Sequence, residues 1–161
     1  MNSKEIKFQP SIYSCSLPNS KGDNDHNNLK KIAKAAAKLC DNTESVIING
    51  GEITNLMSEY LMDKQLNIMT NSMQLSQNLL KSYNTIILPA GEIYVPNRII
   101  MCDFQDNINS SPDYYFSKIF ISAHAISKQG VMFTDKCIAK ANYDFHIIIF
   151  YVNNALHFNS F

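Results

Sequence analysis

Residues Ser45 to Leu56 read SVIINGGEITNL, a β-branched run followed by one polar residue, two glycines and the start of a helical pattern. Val46, Ile47 and Ile48 suit a strand buried on both faces, because branched side chains pack well on a pleated surface and a doubly covered strand needs no polar alternation. Gly50 and Gly51 let the chain turn where a side chain would collide. The first N–H groups of the next helix have no carbonyl one turn back. They point into the turn, with the positive end of the helix dipole behind them. Strand, small-residue turn and helix start in that order make an anion-binding geometry. The same pattern also serves as a plain tight turn, so the stretch defines a strand-to-helix junction first and a ligand site second.

Both flanks repeat the alternation. Upstream, Leu29, Ile32, Ala33, Ala36, Ala37 and Cys40 recur at helical spacing, which predicts an amphipathic helix from Asn28, capped by Asn27 or Asn28 and ending near Asp41-Asn42. Downstream, Ile53, Leu56, Met57, Tyr60 and Leu61 form a second apolar stripe. A strand over Gln65–Met69 leads into Thr70-Asn71-Ser72, whose short polar side chains suit the cap of a helix over Met73–Lys81. A third strand, Thr85–Leu88, ends in Pro89-Ala90-Gly91. Strands alternating with helices predict an α/β fold, a mainly parallel open sheet with helices on both faces, because parallel neighbours need right-handed crossovers. Ligands of such sheets bind beyond the carboxyl ends of the strands. The turns at Asn49–Thr54, Thr70–Ser72 and Ala90–Glu92 are therefore expected along one edge.

The remaining segments are less regular. Arg98–Phe104 reads as a strand, Asn107–Pro112 as a polar loop, and Lys118–Ala123 as a buried strand ended by His124. Ser127–Gly130 reads as a turn, Asp135–Ala141 as a short helix capped by Asp135 or Thr134, and Phe145–Val152 as a very apolar strand expected at the sheet centre. Met1–Asn27 contains Pro10, Pro18 and the polar run SKGDNDHNN and is expected to be a leader or linker, leaving 28–161 as one domain.

Composition narrows the function. The 161 residues carry 14 basic and 14 acidic side chains, so no net field marks a nucleic-acid surface. Lys30, Lys31, Lys34 and Lys38 fall on one predicted helix and read as its solvated face. Cys15, Cys40, Cys102 and Cys137 are far apart, as are His26, His124, His146 and His157. That spacing fits free thiols in the cytoplasm, with no metal or cofactor. No stretch reaches the roughly 20 apolar residues of a membrane span.

Taken in order, IAKAAAKL (Ile32–Leu39), VIINGGEIT (Val46–Thr54), IMTNS (Ile68–Ser72), IILPAGEI (Ile86–Ile93), KIFISAHAISKQGVMFTD (Lys118–Asp135) and IIIFYV (Ile147–Val152) resemble the C-terminal sensor domain of DeoR-type bacterial transcriptional regulators. The resemblance covers roughly Leu29–Asn154 and leans toward the branch that represses L-ascorbate utilisation. It implies a fold similar to ribose-5-phosphate isomerase and the coenzyme A transferases, a phosphorylated sugar as effector, no catalysis, and a homo-oligomer. It also implies ligand contacts from Asn49, Gly50, Gly51 and Thr54 in the first turn, Asn71 and Ser72 in the second, and Gly91 in the third. Lys118 or Lys128 would balance charge. In this family a separate winged helix-turn-helix binds DNA. Met1–Asn27 is too short and polar for one, so this chain alone is not expected to bind an operator.

Two departures from the family pattern bear on function. The phosphate turn usually reads Asp-x-Gly-Ser/Thr-Thr, whereas the matching positions here are Asn49, Gly51, Glu52 and Ile53, with Thr54 next. Glu52 suits a helix start by about 0.3–1 kcal/mol. Within about 4 Å of a phosphate dianion, however, a carboxylate costs on the order of several kcal/mol at an effective dielectric near 20. The family's Leu-x-Asp-x-Ser-Lys segment is replaced by Val152-Asn153-Asn154-Ala155-Leu156, so the domain is expected to be incomplete at its C-terminus. Two alternatives stay open. A degenerate domain would keep fold and oligomerisation without a ligand, with Tyr114, Tyr115 and Phe116 as candidate interface aromatics. A sugar-phosphate isomerase would need a base and a group for the enediolate oxygen, for which Asp103 and Glu92 are the available carboxylates.

Overall fold

The computed structural model describes residues 23–123, 125–127 and 130–132. Helix α1 (Asp23–Lys38) buries Ala33, Ala36 and Ala37 and leaves Lys31, Lys34 and Lys38 exposed, as its periodicity requires. It begins five residues earlier than expected, taking in part of the polar run assigned to the leader. Polarity alone does not stop a helix, and Gly22 is the last helix breaker before it.

Strand β1 (Ser45–Ile48) is buried at every position. The chain then forms α2 (Glu52–Leu56) and α3 (Ser58–Leu61), joined through Met57 in helical conformation, so one expected helix is present as two abutting pieces. Next come β2 (Asn67–Met69), α4 (Met73–Leu79) and β3 (Thr85–Ile87). A hairpin of β4 (Glu92–Tyr94) and β5 (Ile99–Met101) follows, linked by a 3-10 turn over Val95–Asn97. Then α5 (Phe104–Asn109) leads to β6 (Phe116–Phe120), and β7 (Ala125–Ser127) pairs antiparallel with β8 (Gly130–Met132).

The main sheet has the order β3-β2-β1-β6 with every pairing parallel. Period-two alternation sends Val46 and Ile48 into a core shared with α1 to α4, alongside Leu61, Ile68, Leu75 and Phe120. Ile47 and Met69 face the other way and pack with Phe104 and Ile121. Each fully buried aliphatic side chain of this kind contributes roughly 1.5–3 kcal/mol. With α1 to α4 on one face and α5 on the other, the sheet is covered on both sides, which is the expected α/β arrangement.

Further segments differ from the sequence reading, among them the strand expected over Lys118–Ala123, which is found two residues earlier at its start and ends at Phe120. Arg98–Phe104 is not one strand: β5 ends at Met101, and α5 occupies much of the expected polar loop. Asp103 caps that helix by accepting a hydrogen bond from the Asp106 N–H at 2.9 Å, while Phe104 is buried beneath it. Polar residues at Asn107 and Asn109 hid a helix held down by one aromatic anchor. Phe145–Val152 and Asp135–Ala141 lie outside the described residues, among which β1 and β2 hold the inner positions.

Candidate functional site

Parallel register brings the ends of β1, β2 and β6 to one edge of the sheet. After β1, the Asn49 N–H donates to the Phe120 carbonyl at 2.9 Å, extending the β1–β6 ladder by one residue. The Gly50 N–H then donates to Asn71 Oδ1 at 2.8 Å, which ties the first turn to the second. A Cβ on Gly50 would stand 2.9 Å from Ile99 Cγ2 and 3.4 Å from the Ser72 Cβ. On Gly51 it would meet the Ser122 Cβ at 2.2 Å. Gly51 has φ 168°, which is extended backbone open to any residue, so space rather than backbone conformation demands glycine there.

The second turn is bracketed from its other side by β5. Ser72 forms an antiparallel bridge with Ile99, the Ile100 N–H donates to the Asn71 carbonyl at 2.7 Å, and the Met73 N–H donates to the Arg98 carbonyl at 3.0 Å. Ser72 caps α4 by accepting from the Leu75 N–H at 3.0 Å, as its position before the helix predicted, and its hydroxyl donates to Asn55 Oδ1 at 2.7 Å. The Thr54 hydroxyl donates to the Gly51 carbonyl at 3.1 Å. Asn49, Thr54, Thr70, Asn71 and Ser72 are all buried. The N–H groups of Met73 and Leu75 at the start of α4 are already paired within the protein, so the edge combines the start of α2 with small amide and hydroxyl side chains. Such groups bind and orient a polar or anionic ligand but carry out no proton transfer.

Most of the expected first- and second-turn residues come together. Gly91 lies where β3 passes into β4, with the Met101 carbonyl 2.2 Å and Ile100 Cγ2 2.9 Å from where its Cβ would be. The residues packed against Gly50 and Gly51 are instead Ile99 and Ser122. The sequence reading missed both, along with Asn55. Ser122 belongs to the KIFISA run but lies two residues past the end of β6, and only the β1–β6 register brings it against Gly51.

Lys118 does not serve this edge. It pairs with Glu44 at the opposite end of the sheet, before β1 begins. Partial burial raises the Glu44 carboxyl, but Lys118, the Asp41 N–H and the Ser117 hydroxyl outweigh it and hold the carboxyl below its ordinary range. Lys128 lies outside the described residues.

The carboxylates that an isomerase would need are dispersed. Asp103 is spent as the cap of α5, and Glu92 is exposed on β4. Glu52 is the first residue of α2 and is exposed. Burial pushes the Cys40 thiol up to about 11 and the Cys102 thiol up to about 12, so neither is a thiolate nucleophile near neutrality. Among the described residues no group of His, Cys, Asp and Glu converges on a metal position. Of the three candidate interface aromatics, Tyr114 and Phe116 stack on each other with ring centroids 6.1 Å apart, and Phe116 packs on the α5-side core, leaving Tyr115 exposed.

On α1, Lys30 pairs with Glu59 at 3.3 Å and the Lys34 ammonium sits 6.0 Å from the Tyr60 ring. Those two lysines face α3 rather than forming an isolated basic patch. Among the described residues no helix is long and apolar enough to cross a membrane.

Residues 24–144 match the DeoR C-terminal sensor domain. Proteins named HTH-type transcriptional regulator UlaR from Shigella dysenteriae serotype 1 (strain Sd197) and from Escherichia coli (strain K12 / DH10B) are each 29% identical over 116 residues, covering 72% of this chain and 45% of theirs. The chain thus spans just under half the length of these curated relatives, which are regulators by name and not enzymes.

Proposed function

The chain belongs to the DeoR C-terminal sensor-domain family, and from that premise we propose that it is the effector-binding module of a regulator of sugar or L-ascorbate utilisation, with a phosphorylated sugar as its ligand. The observation that supports a site most directly is the Gly50 N–H to Asn71 Oδ1 bond, which joins the β1–α2 and β2–α4 junctions into one small polar surface. In this reading Asn49, Gly50, Gly51 and Thr54 present one side of the ligand, Asn71 and Ser72 the other, and Gly91 lies toward the rim. A regulator responds only if its ligand favours one conformation over another. The Ser72 to Asn55 contact is a natural candidate for rearrangement, because it links the second turn to α2.

A second reading, a domain that keeps the fold without an effector, draws on Glu52. Its carboxylate stands in the first turn of α2, where the family pattern has a hydroxyl. Thermal melts of the purified chain with L-ascorbate 6-phosphate, a panel of other sugar phosphates, and inorganic phosphate separate the two. A ligand at 100 times its dissociation constant stabilises by about 2.7 kcal/mol. For a domain of this size that is a rise of roughly 5–10 °C in Tm. A shift with one sugar phosphate supports the effector reading. No shift in the parent but a shift in Glu52→Ser means that the turn keeps its shape and charge alone disables it. No shift in either protein sinks the effector proposal.

A further inference from the structure

We infer that the outer edge of β3 is an interface between two copies of this chain, related by a two-fold axis that pairs their β3 strands antiparallel. Among the described residues β3 has a neighbour on one side only, β2. The Thr85 N–H donates to the Leu66 carbonyl at 2.8 Å and the Ile87 carbonyl accepts from the Thr70 N–H at 3.0 Å. Both residues are therefore committed to β2. Parallel pairing then directs the main-chain groups of Ile86 outward, to the open side.

The side chains at this edge are also incompletely covered. Ile86 is the half-buried rim of the core under α1 to α4, and Ile87 is the half-buried rim of the core on the α5 side. Leu80, Tyr83 and Leu88, which flank the strand, are 75%, 78% and 47% exposed. Edge strands that stay single are blunted by shortness, charge, proline or a bulge. β3 is short, at three residues, but Thr85 to Leu88 carries no charge, proline or bulge.

A helix or small molecule would cover one face and leave the other wet. A strand that carries its own helices covers both faces and satisfies the Ile86 groups at once. A second copy has the matching chemistry, because Ser82 to Gly91 contains no charged residue and meets no repulsion against itself. Lys81 and Glu92 bound that stretch with opposite sign and are both exposed. Antiparallel apposition therefore brings the Lys81 end of one copy toward the Glu92 end of the other, the self-complementary arrangement of an isologous dimer.

The test is the solution mass of the full chain by light scattering, which is independent of any ligand. At micromolar concentration the 18.3 kDa chain is expected at twice its mass or a higher even multiple. Thr85→Lys with Leu88→Lys, and separately Thr85→Glu with Leu88→Glu, alter only exposed positions and should each halve that mass. Mixing the two variants in equal amounts should restore it. Ile86→Pro, which removes the outward N–H without touching the β2 ladder, gives the same loss by a route that involves no charge. A monomeric parent, or a parent mass unchanged in all three variants, overturns the proposal.

Discussion

Gly51→Ala is the most discriminating perturbation of the candidate site, because two physical effects predict opposite signs. In ordinary extended backbone, replacing Gly by Ala stabilises by about 0.4–1 kcal/mol, since the unfolded chain has less freedom to lose. The Gly51 φ of 168° meets that condition. Against it stands the Ser122 Cβ at 2.2 Å from where the new methyl would be. That is about 1.3 Å inside the roughly 3.5 Å at which carbons meet without repulsion. The nearest atom is the root of a side chain rather than its flexible end, so relief requires the β1 turn or the end of β6 to move. Overpacking of this kind costs about 1–3 kcal/mol. The net expectation is a loss of about 1–2 kcal/mol, or a fall of roughly 2–8 °C in Tm.

Equilibrium urea unfolding of the parent, Gly51→Ala, Ser122→Gly and the double variant measures both terms. Removing the Ser122 Cβ should recover most of the loss, leaving a positive coupling of roughly 1 kcal/mol or more in the cycle. If Gly51→Ala is neutral or stabilising, or Ser122→Gly fails to rescue it, then the turn does not sit against β6 as described. The two-strand architecture of the site would go with it. Gly50→Ala is the internal contrast: its nearest neighbour, the Ile99 Cγ2 methyl, stands at 2.9 Å rather than 2.2 Å, so the overlap is milder and its loss should be smaller.

Ser72→Ala removes the cap of α4 and the donor to Asn55 together, and should lower the unfolding free energy by about 1–3 kcal/mol. Asn55→Ala removes only the acceptor for the Ser72 hydroxyl and leaves the cap in place, so its urea midpoint should lie between Ser72→Ala and the parent. The Glu44 carboxyl titrates below its ordinary 4.5 in the folded chain, because Lys118 and two hydrogen bonds override the effect of burial. Its stabilising contribution is therefore complete above about pH 4.5 and is lost as pH falls through the lower folded value. Comparing urea midpoints from pH 6 down to pH 3 should show a steeper acid loss in the parent than in Lys118→Met.

The layers of this fold were legible because local chemistry encodes them. The β-branched triplet at Val46–Ile48 fits a doubly buried strand, the apolar stripe of α1 fits a helix with one wet face, and Ser72 fits an N-cap, and each is found so. Each of these signals depends on residues no more than a few positions apart, and period and capping report which face is buried without reference to any partner. The same logic failed at α5, whose polar residues resemble a loop until Phe104 is seen packed beside Ile47 and Met69.

The sequence by itself therefore determined the alternation of strands and helices, and the strand-end turns where a ligand would sit. Only the tertiary structure decided which residues meet there. Ser122 lies against Gly51, Ile99 against Gly50, and Lys118 is drawn to Glu44 at the far end. Those contacts depend on strand order and register across dozens of intervening residues. Hydrophobic periodicity is unchanged by which strand becomes the neighbour, so it cannot carry that information.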